Sequence, residues 1–342
     1  MSLKVSSLEY TEVEKPSPKK QEINGINLIP FSGLSEEDIH LIETMNLIYN
    51  YFQLSQEIPK VYSTQLYEAL TDCRQTKTKE EWEETCKSIV VPHPITKLIL
   101  QDPCTKHSFE KPKGYAGDAT LIDYFYKLNK SKDHSELANQ LLKMTISRPA
   151  GVAVNERAIY IANELDELAE TTENAKVLSI ACGYLREARL SKAVFRSQFE
   201  TFIAFDQDKE CIDDINSDLS SFGIEGHEGN IVALMKDTYE FGTFDYIYSA
   251  GLLDYLSINL SRRLLKYLFN KLNPGGSILV TNFIPNIEDA GYMEAFMQWF
   301  LIYKTLPEMD SIASGINPNQ LARKELFRDK HNQLIYLKLT KV

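Results

Sequence analysis

No apolar run in the 342 residues approaches the roughly 20 that a membrane-spanning helix needs, so no membrane span is expected. The stretch MSLKVSSLEYTEVEKPSPKK has no apolar core of the kind a signal peptide carries, and a cytoplasmic location is the expectation. Cysteine is sparse: Cys73, Cys86, Cys104, Cys182 and Cys211 make an odd number with no Cys-x-x-Cys pair. That argues against a structural zinc site or a disulfide framework, and no metal is expected. Basic charge is also short. The 37 Lys and Arg stand against 48 Asp and Glu, a formal net charge of −11. A non-specific nucleic-acid binder needs a positive footprint, so nucleic acid is not an expected partner. The sequence has no internal repeat and no low-complexity segment.

What is present is a globular composition. The apolar fraction is 43%, enough for a sizeable core, and the length suits two domains or one large one. Residues 1–34 are polar, with Pro16, Pro18 and a Lys-Lys pair, and read as a loose tail. Ser35-Glu-Glu-Asp38 then places a capping serine before acids that suit a helix N-terminus. Ile39, Leu41, Ile42, Met45, Leu47 and Ile48 follow at helical spacing. Further helices are expected near 63–74, 79–88 and 94–101. Residues 35–150 therefore read as a helical cover or substrate domain and 151–342 as a second domain. Val152–Ala169 reads as a helix buried along Ala158, Ile161, Leu165 and Leu168. Asn155 shares a flank with Ala158 and Ala162, which turns it inward.

From Lys176 strands and helices alternate, which predicts a parallel sheet. Strands are expected near 176–181, 201–206, 224–228, 244–249 and 277–283. Helices are expected near 186–197 and 208–221, from Ser257 to Leu272, and over the very apolar stretch Tyr292–Leu301. Asn273-Pro-Gly-Gly276 reads as a helix stop. Residues 323–327 and 334–340 read as a terminal antiparallel hairpin. The fold class is α/β and Rossmann-like, a parallel sheet with a reversed hairpin at its end.

The stretch Lys176-Val-Leu-Ser-Ile-Ala-Cys-Gly-Tyr-Leu-Arg-Glu187 runs from strand to turn, and Thr201-Phe-Ile-Ala-Phe205 ends on Asp206. Strand, tight turn, helix, strand and acid is how a Rossmann-like sheet holds an adenosine nucleoside. One glycine, Gly183, stands where dinucleotide enzymes use three for pyrophosphate. The cofactor expected is therefore S-adenosyl-L-methionine, which has no phosphate. Ala181, Cys182 and Gly183 bring backbone close to it. Asp206, followed by Gln207, takes the ribose hydroxyls. Glu187 either meets the cofactor's ammonium or complements a helix dipole. Asn230, followed by Ile231, either reads the adenine edge or is a plain turn residue after Gly229. Ser249, Ala250 and Gly251 are small and leave room for the methionine part. Asn282, ending a strand, reaches the same crevice, and ligands of open α/β sheets sit there. Arg157 is a further candidate cofactor ligand.

The loop His107-Ser-Phe-Glu-Lys-Pro-Lys-Gly-Tyr-Ala-Gly-Asp118 is either a turn with a helix cap at Asp118 or a rigid loop presenting Tyr115 to a ligand. Asp254 and Tyr255 line the acceptor side or close a helix start. Tyr115 and Tyr184 offer aromatic faces to a sulfonium, or are ordinary packing residues. Phe296 and Phe300, on the apolar helix, roof a substrate or belong to the core.

These residues resemble the class I S-adenosylmethionine-dependent methyltransferases. More narrowly, they are similar to the bacterial family of extracellular factor 3-hydroxypalmitic acid methyl ester biosynthesis proteins. The matching pieces are Phe109-Glu-Lys-Pro-Lys-Gly-Tyr-Ala-Gly-Asp118, Cys182-Gly-Tyr-Leu-Arg-Glu187, Tyr248-Ser-Ala-Gly-Leu-Leu-Asp-Tyr-Leu256, Pro274-Gly-Gly276 and Asn282-Phe-Ile-Pro285, with Tyr292-Met-Glu294 and Trp299-Phe-Leu-Ile-Tyr303. The resemblance implies a Rossmann-like methyltransferase with a helical cover, cofactor contacts at Gly183, Asp206 and Asn230, and Tyr115 beside the cofactor. It implies a small-molecule acceptor, with the carboxylate of a hydroxy fatty acid as one form. The turn departs from the commoner Gly-Cys-Gly-Pro at Ala181 and Tyr184.

Methyl transfer is an in-line displacement at a sulfonium, and the enzyme supplies approach geometry and a dry pocket. A carboxylate acceptor needs only a cation such as Arg148 or Arg157 to orient it. A hydroxyl or amine needs a base, for which His107, Asp118, Asp254 and Tyr255 are candidates. Tyr115, Asp254 and Tyr255 are the expected catalytic set. Asn155, Tyr184, Asn282, Phe296 and Phe300 are the expected acceptor contacts. Two other readings stay open. One is attack on the methionine chain of the cofactor, which releases methylthioadenosine; the other is a non-catalytic binding module.

Overall fold

The structure, a computed structural model, describes residues 33–55, 58, 60–127 and 134–342, and the backbone of 21–23 and 26–28. Of the expected loose tail, residues 1–20, 24–25 and 29–32 lie outside the described residues. Gln21–Ile23 (β1) and Ile26–Leu28 (β2) pair antiparallel.

Local chemistry accounts for the helical region. Helix α1 is Glu36–Ser55. Ser35 Oγ accepts from the Asp38 N–H, and Asp38 Oδ2 accepts from the Ser35 N–H, a reciprocal cap. Helix α2 is Lys60–Gln75 and α3 is Lys79–Thr85, opened by a capping box between Thr78 and Glu81. One π-helical turn, Cys86–Val90, extends α3. Helices α4 (Pro94–Ile99) and α5 (Pro103–Glu110) each start on proline after a capping side chain, His93 and Asp102. Asp118 caps α6 (Ala119–Phe125), Ser135 caps α7 (Glu136–Ile146), and α8 runs from Pro149 to Thr171.

The sheet follows. Its strands are β3 (Ala175–Ile180), β4 (Phe199–Asp206), β5 (Ile224–Glu228), β6 (Phe244–Ser249), β7 (Leu272–Phe283), β8 (Leu321–Arg328) and β9 (Leu334–Lys341). Helices α9 (Lys192–Phe195), α10 (Lys209–Asp218), α11 (Ile231–Leu234), α12 (Ile258–Asn270), α13 (Ala290–Ala295) and α14 (Leu306–Ser311) accompany them. The spatial order is β5-β4-β3-β6-β7-β9-β8. β3 to β7 are mutually parallel, and β9 is antiparallel to both β7 and β8. The reversed terminal hairpin is thus where the pattern predicts it. One apolar core runs from α1 and α2 through α8 into the sheet.

Three expected elements differ. The helix expected over 186–197 is only a 3-10 turn, Ala188–Leu190, and the short α9. Asp166 on α8 accepts from Ser191 Oγ (2.6 Å) and the Ala193 N–H (2.9 Å), which restarts the helix there. The strand expected from 277 begins at Leu272: Asn273-Pro-Gly-Gly276, which follows the end of α12 at Asn270 as expected, lies within β7, where Asn273 Nδ2 donates to Asp245 Oδ1 (2.7 Å). The helix expected over 292–301 stops at Ala295. Gln298 turns left-handed (φ 50°), and its amide donates back to the carbonyls of Glu294 and Ala295, occupying acceptors the helix would otherwise use itself.

Buried ion pairs fasten the helical region to the sheet region. Glu294 holds Arg74 and the Trp82 indole (2.8 Å). Asp289 holds Arg148 (2.6 Å) and the Ala150 N–H. Arg186 grips Asp123 with two hydrogen bonds of 2.8 and 2.7 Å.

Candidate functional site

The carboxyl ends of β3, β4 and β6 open into a cleft of about 460 Å³ covered by α6, α8 and the loop 111–118. The turn after β3 forms one wall. Ala181, Gly183 and Leu185 all have left-handed backbone, φ 52°, 53° and 50°. Such a conformation costs a non-glycine residue about 1–2 kcal/mol. At Gly183 a side chain would also be crowded, since a Cβ there would lie 3.1 Å from Ala119 Cβ. The turn is tied down by Cys182 N–H to Phe205 O (3.3 Å) and Gly183 N–H to Asp206 Oδ2 (2.8 Å).

Asp206 ends β4 and is 7% exposed. Its other oxygen accepts from the Asp208 N–H at 2.8 Å. Burial raises its carboxyl above the usual range, and these N–H donors pull it back. Gln207, Asn230 and Ile231 line the same end. Asn230 Oδ1 caps α11, accepting from Val232 and Ala233 (3.1 and 2.9 Å).

The deep end is charged. Glu187 is buried, accepts from the Tyr248 hydroxyl (2.9 Å), and is raised by that burial. Asp254 is 3% exposed and accepts from the Phe283 N–H on Oδ1 (2.7 Å). Burial raises it too, opposed by that N–H, Arg157 and Lys304. Arg157, on α8 and 4% exposed, lines the cleft with its Nε unpartnered. Gly251 (φ 108°) leaves the gap between them: a Cβ there would lie 3.5 Å from Arg157 Nη1 and 3.9 Å from Asp254 Oδ2.

Aromatic side chains make the rim. Tyr115 meets Tyr255 edge to face at 6.2 Å, and Tyr255 accepts from the Trp299 indole at 2.8 Å. Gly117 is pressed onto that pair, where a Cβ would fall 2.0 Å from the Tyr255 hydroxyl. Lys113 pairs with Glu210 and with Asp208 (3.4 Å), carrying the loop across the mouth to the start of α10. Tyr184 donates to Glu210 (3.2 Å) and lies under the Arg186 guanidinium (4.6 Å).

Of the residues singled out from the sequence, the cleft gathers Tyr115, Arg157, Ala181, Cys182, Gly183, Tyr184, Glu187, Asp206, Gln207, Asn230, Ile231, Ala250, Gly251, Asp254 and Tyr255. Eight candidates lie off its lining. Ser249 is buried and donates to Ile180 O (2.8 Å), tying β6 to β3. Asn155 donates to Phe125 O (3.2 Å) and holds α6 to α8. Asn282 is fully buried, donating to the Phe283 and Ile302 carbonyls. Phe296 is a core side chain packed on Tyr292, and Phe300 packs half-buried against the same core. Arg148 is taken by Asp289 and stacks on Tyr67 (4.1 Å). His107 pairs with the helix-capping Asp118 (2.8 Å), below the loop rather than in the cleft. The cleft also contains Tyr126, Phe283 and Trp299. Tyr126 has only apolar periodicity as its sequence signal; Phe283 and Trp299 fall in pieces that carry the family resemblance, but nothing in their pattern separates a cleft wall from a core.

No protein-family model and no curated protein matches the chain. Solved structures do. A possible exported protein from Bordetella parapertussis is similar over 92% of this chain and 99% of its own, at 12% identity and TM-score 0.53. Magnesium protoporphyrin IX methyltransferase from Synechocystis PCC 6803 is similar over 66% of this chain and 96% of its own, at 9% identity and TM-score 0.43. The N-methyltransferase NodS from Bradyrhizobium japonicum WM9 is similar over 54% and 94%, at 12% identity and TM-score 0.39. The likeness to the Bordetella parapertussis protein is one of fold. A seven-stranded sheet ordered β5-β4-β3-β6-β7-β9-β8, parallel except for its last hairpin and joined to an N-terminal helical region, is the class I methyltransferase fold. No helix among the described residues is long and apolar enough to cross a membrane.

Proposed function

We propose that the protein is an S-adenosylmethionine-dependent methyltransferase acting on a small molecule. The observation that carries this reading is Asp206 at the tip of β4, joined to the single-glycine turn after β3. Its carboxylate has lone pairs left for ribose hydroxyls, and the turn leaves no glycine cradle for a pyrophosphate. The deep end fits the rest of the cofactor. The unpartnered Arg157 Nε suits a carboxylate, and Glu187 suits an ammonium. Ala250 and Gly251 leave space at the floor, Asn230 and Ile231 flank the adenine end, and Tyr115 and Tyr255 face the sulfonium. The bound cofactor supplies an electrophilic methyl group. The chain's own residues exclude water and orient the acceptor, which enters beside Tyr255 and Trp299. Asp254 is the group within the cleft able to take a proton from a hydroxyl or amine acceptor.

Calorimetric titration with S-adenosylhomocysteine, with NAD as control, tests the reading. Binding of the first alone is expected. Binding of NAD, or of neither, would overturn it. With the cofactor and an acceptor series that begins with hydroxy fatty acids, the expected by-product is S-adenosylhomocysteine rather than methylthioadenosine.

A further inference from the structure

Lys304 is 0% exposed, an uncommon state for an ammonium. It follows α13 on an irregular segment. Its Nζ donates to Leu253 O (2.6 Å), Asn282 Oδ1 (2.9 Å) and Leu256 O (3.0 Å), with Ile302 O at 3.3 Å. The partners are three carbonyls and an amide oxygen, all neutral. Burying a cation with no anion in contact is costly, and a neutral donor cannot make three donations.

The backbone around it forms a closed circuit. Ile302 N–H donates to Asp254 O (2.7 Å), Lys304 N–H donates to Phe283 O (3.1 Å), and Phe283 N–H donates to Asp254 Oδ1 (2.7 Å). Leu253 and Leu256 bracket Asp254 and Tyr255, and the ammonium holds both of their carbonyls. The turn that puts these two side chains into the cleft is therefore fixed from behind by a charge.

We propose that Lys304 is a positioning residue of the cleft: its ammonium clamps the 253–256 turn and so sets where Asp254 and Tyr255 stand against Arg157 and Trp299. A second consequence is electrostatic. The groups that bear on Asp254 are Arg157 from α8, Lys304 itself, and the hydroxyls of Tyr255 and Tyr303. Burial lowers the Lys304 ammonium from the usual lysine range, opposed by Asp254 and Glu308, and its three donations to oxygen acceptors are what hold the proton there. Lys304 lowers the proton affinity of Asp254 without touching it.

The functional weight of this clamp rests on reading the cleft as the methyl-transfer site; the test does not use that activity. The chain has two tryptophans. The Trp299 indole donates to Tyr255, and the Trp82 indole donates to Glu294. Their indole N–H signals in a nitrogen-15 NMR spectrum are a reporter and an internal control. In Lys304→Met, the Trp299 signal is expected to move toward its position in Tyr255→Phe, with Trp82 unmoved. The Asp254 carboxyl, followed by carbon-13 NMR and assigned with Asp254→Asn, is expected to titrate about 1 pH unit higher, a tenfold gain in proton affinity. A folded variant with both signals unchanged makes Lys304 a packing residue and ends the proposal. Should Lys304→Met not fold, Lys304→Gln keeps some donors without the charge. It is then expected to show the same Asp254 shift with a smaller Trp299 displacement, and an unmoved Asp254 would overturn the proposal. Failure of S-adenosylhomocysteine to bind while these shifts appear would refute the methyltransferase reading and leave the clamp standing.

Discussion

Asp206 Oδ2 accepts a hydrogen bond from the Gly183 N–H at 2.8 Å, so the acid ending β4 and the turn ending β3 are one unit. A change at Asp206 therefore acts on both. Asp206→Ala is expected to weaken S-adenosylhomocysteine binding by about 1–3 kcal/mol, the cost of lost charge-assisted hydrogen bonds. Asp206→Asn retains one carbonyl acceptor and is expected to lose less. Calorimetry on folded variants decides it. Unchanged affinity in Asp206→Ala would place the nucleoside elsewhere.

Arg157 and Asp206 lie at different parts of the cleft, which allows them to be separated by ligand. Arg157→Met is expected to cost at least tenfold in affinity for S-adenosylhomocysteine, about 1.4 kcal/mol. It should leave methylthioadenosine, which lacks the amino acid moiety, within about twofold. Equal losses for both ligands would mean that Arg157 supports the fold of the cleft rather than a carboxylate.

Ala181 occupies left-handed backbone (φ 52°) at a position where glycine carries no steric penalty. Ala181→Gly relieves about 1–2 kcal/mol of native strain and gives back about 0.4–1 kcal/mol through the freer unfolded chain. The expected net result is a gain of between about 0 and 1.6 kcal/mol in urea unfolding. Ala181→Val, β-branched at the same angle, is expected to lose about 1–3 kcal/mol. A destabilised glycine variant would show that the methyl group of Ala181 makes packing contacts worth more than the strain.

The loop 111–118 crosses the mouth of the cleft on two contacts of different kind. Lys113 reaches Asp208 and Glu210, partly in solvent, so its hold should weaken with salt. Stopped-flow dissociation of S-adenosylhomocysteine is expected to quicken severalfold between low and high ionic strength, and to lose that dependence in Lys113→Met. Gly117→Ala forces a methyl group onto the Tyr255 hydroxyl and the Trp299 indole. It should speed release at all salt concentrations. Salt-independent release in the unaltered protein would mean that the Lys113 contacts do not gate exit.

Much of the fold was legible because its signals are local. Ser35, Thr78, Asp118 and Ser257 cap helices through their own side chains, and the β-branched and aromatic runs of 201–206 and 244–249 can hardly be other than buried strands. The turn around Gly183 and the acid at 206 were legible as a unit because a strand, a one-glycine turn and an acid ending the next strand stand at fixed spacing in the chain. What was not legible depends on tertiary contact. Gln298 ends α13 by folding its amide back, Asp166 restarts the chain at Ser191, and Asn282 turns from the cleft toward Lys304. Phe296 and Trp299 stand three residues apart on the same apolar stretch, yet one is core and the other cleft wall. Only the left-handed break at Gln298 separates them.

Glu187 is where stability and ligand binding are set against each other. It is 7% exposed, its carboxylate accepts from the Tyr248 hydroxyl, and burial raises it. A raised folded pKa reverses the usual carboxylate rule. Below the unfolded value of about 4.3 both states hold the proton and Glu187 costs nothing. As pH rises beyond it, the unfolded chain ionises first, and the folded state loses stability until its own higher pKa is passed. Above that point the penalty is constant. Other acids, such as Asp38 and Asp166, are lowered and slope the opposite way, so the difference between variants isolates the effect. Glu187→Gln keeps an acceptor for Tyr248 but cannot ionise. Without ligand it is expected to match the unaltered protein near pH 4 and to become the more stable of the two as pH rises to 8. Its affinity for S-adenosylhomocysteine is expected to fall at least tenfold, since on the proposed reading a neutral amide would replace the partner of the ligand's ammonium. Urea unfolding across that pH range, with calorimetry at pH 8, measures both. A stability difference that does not grow with pH would show that Glu187 ionises as easily in the fold as out of it, and the raised carboxyl would have to be abandoned.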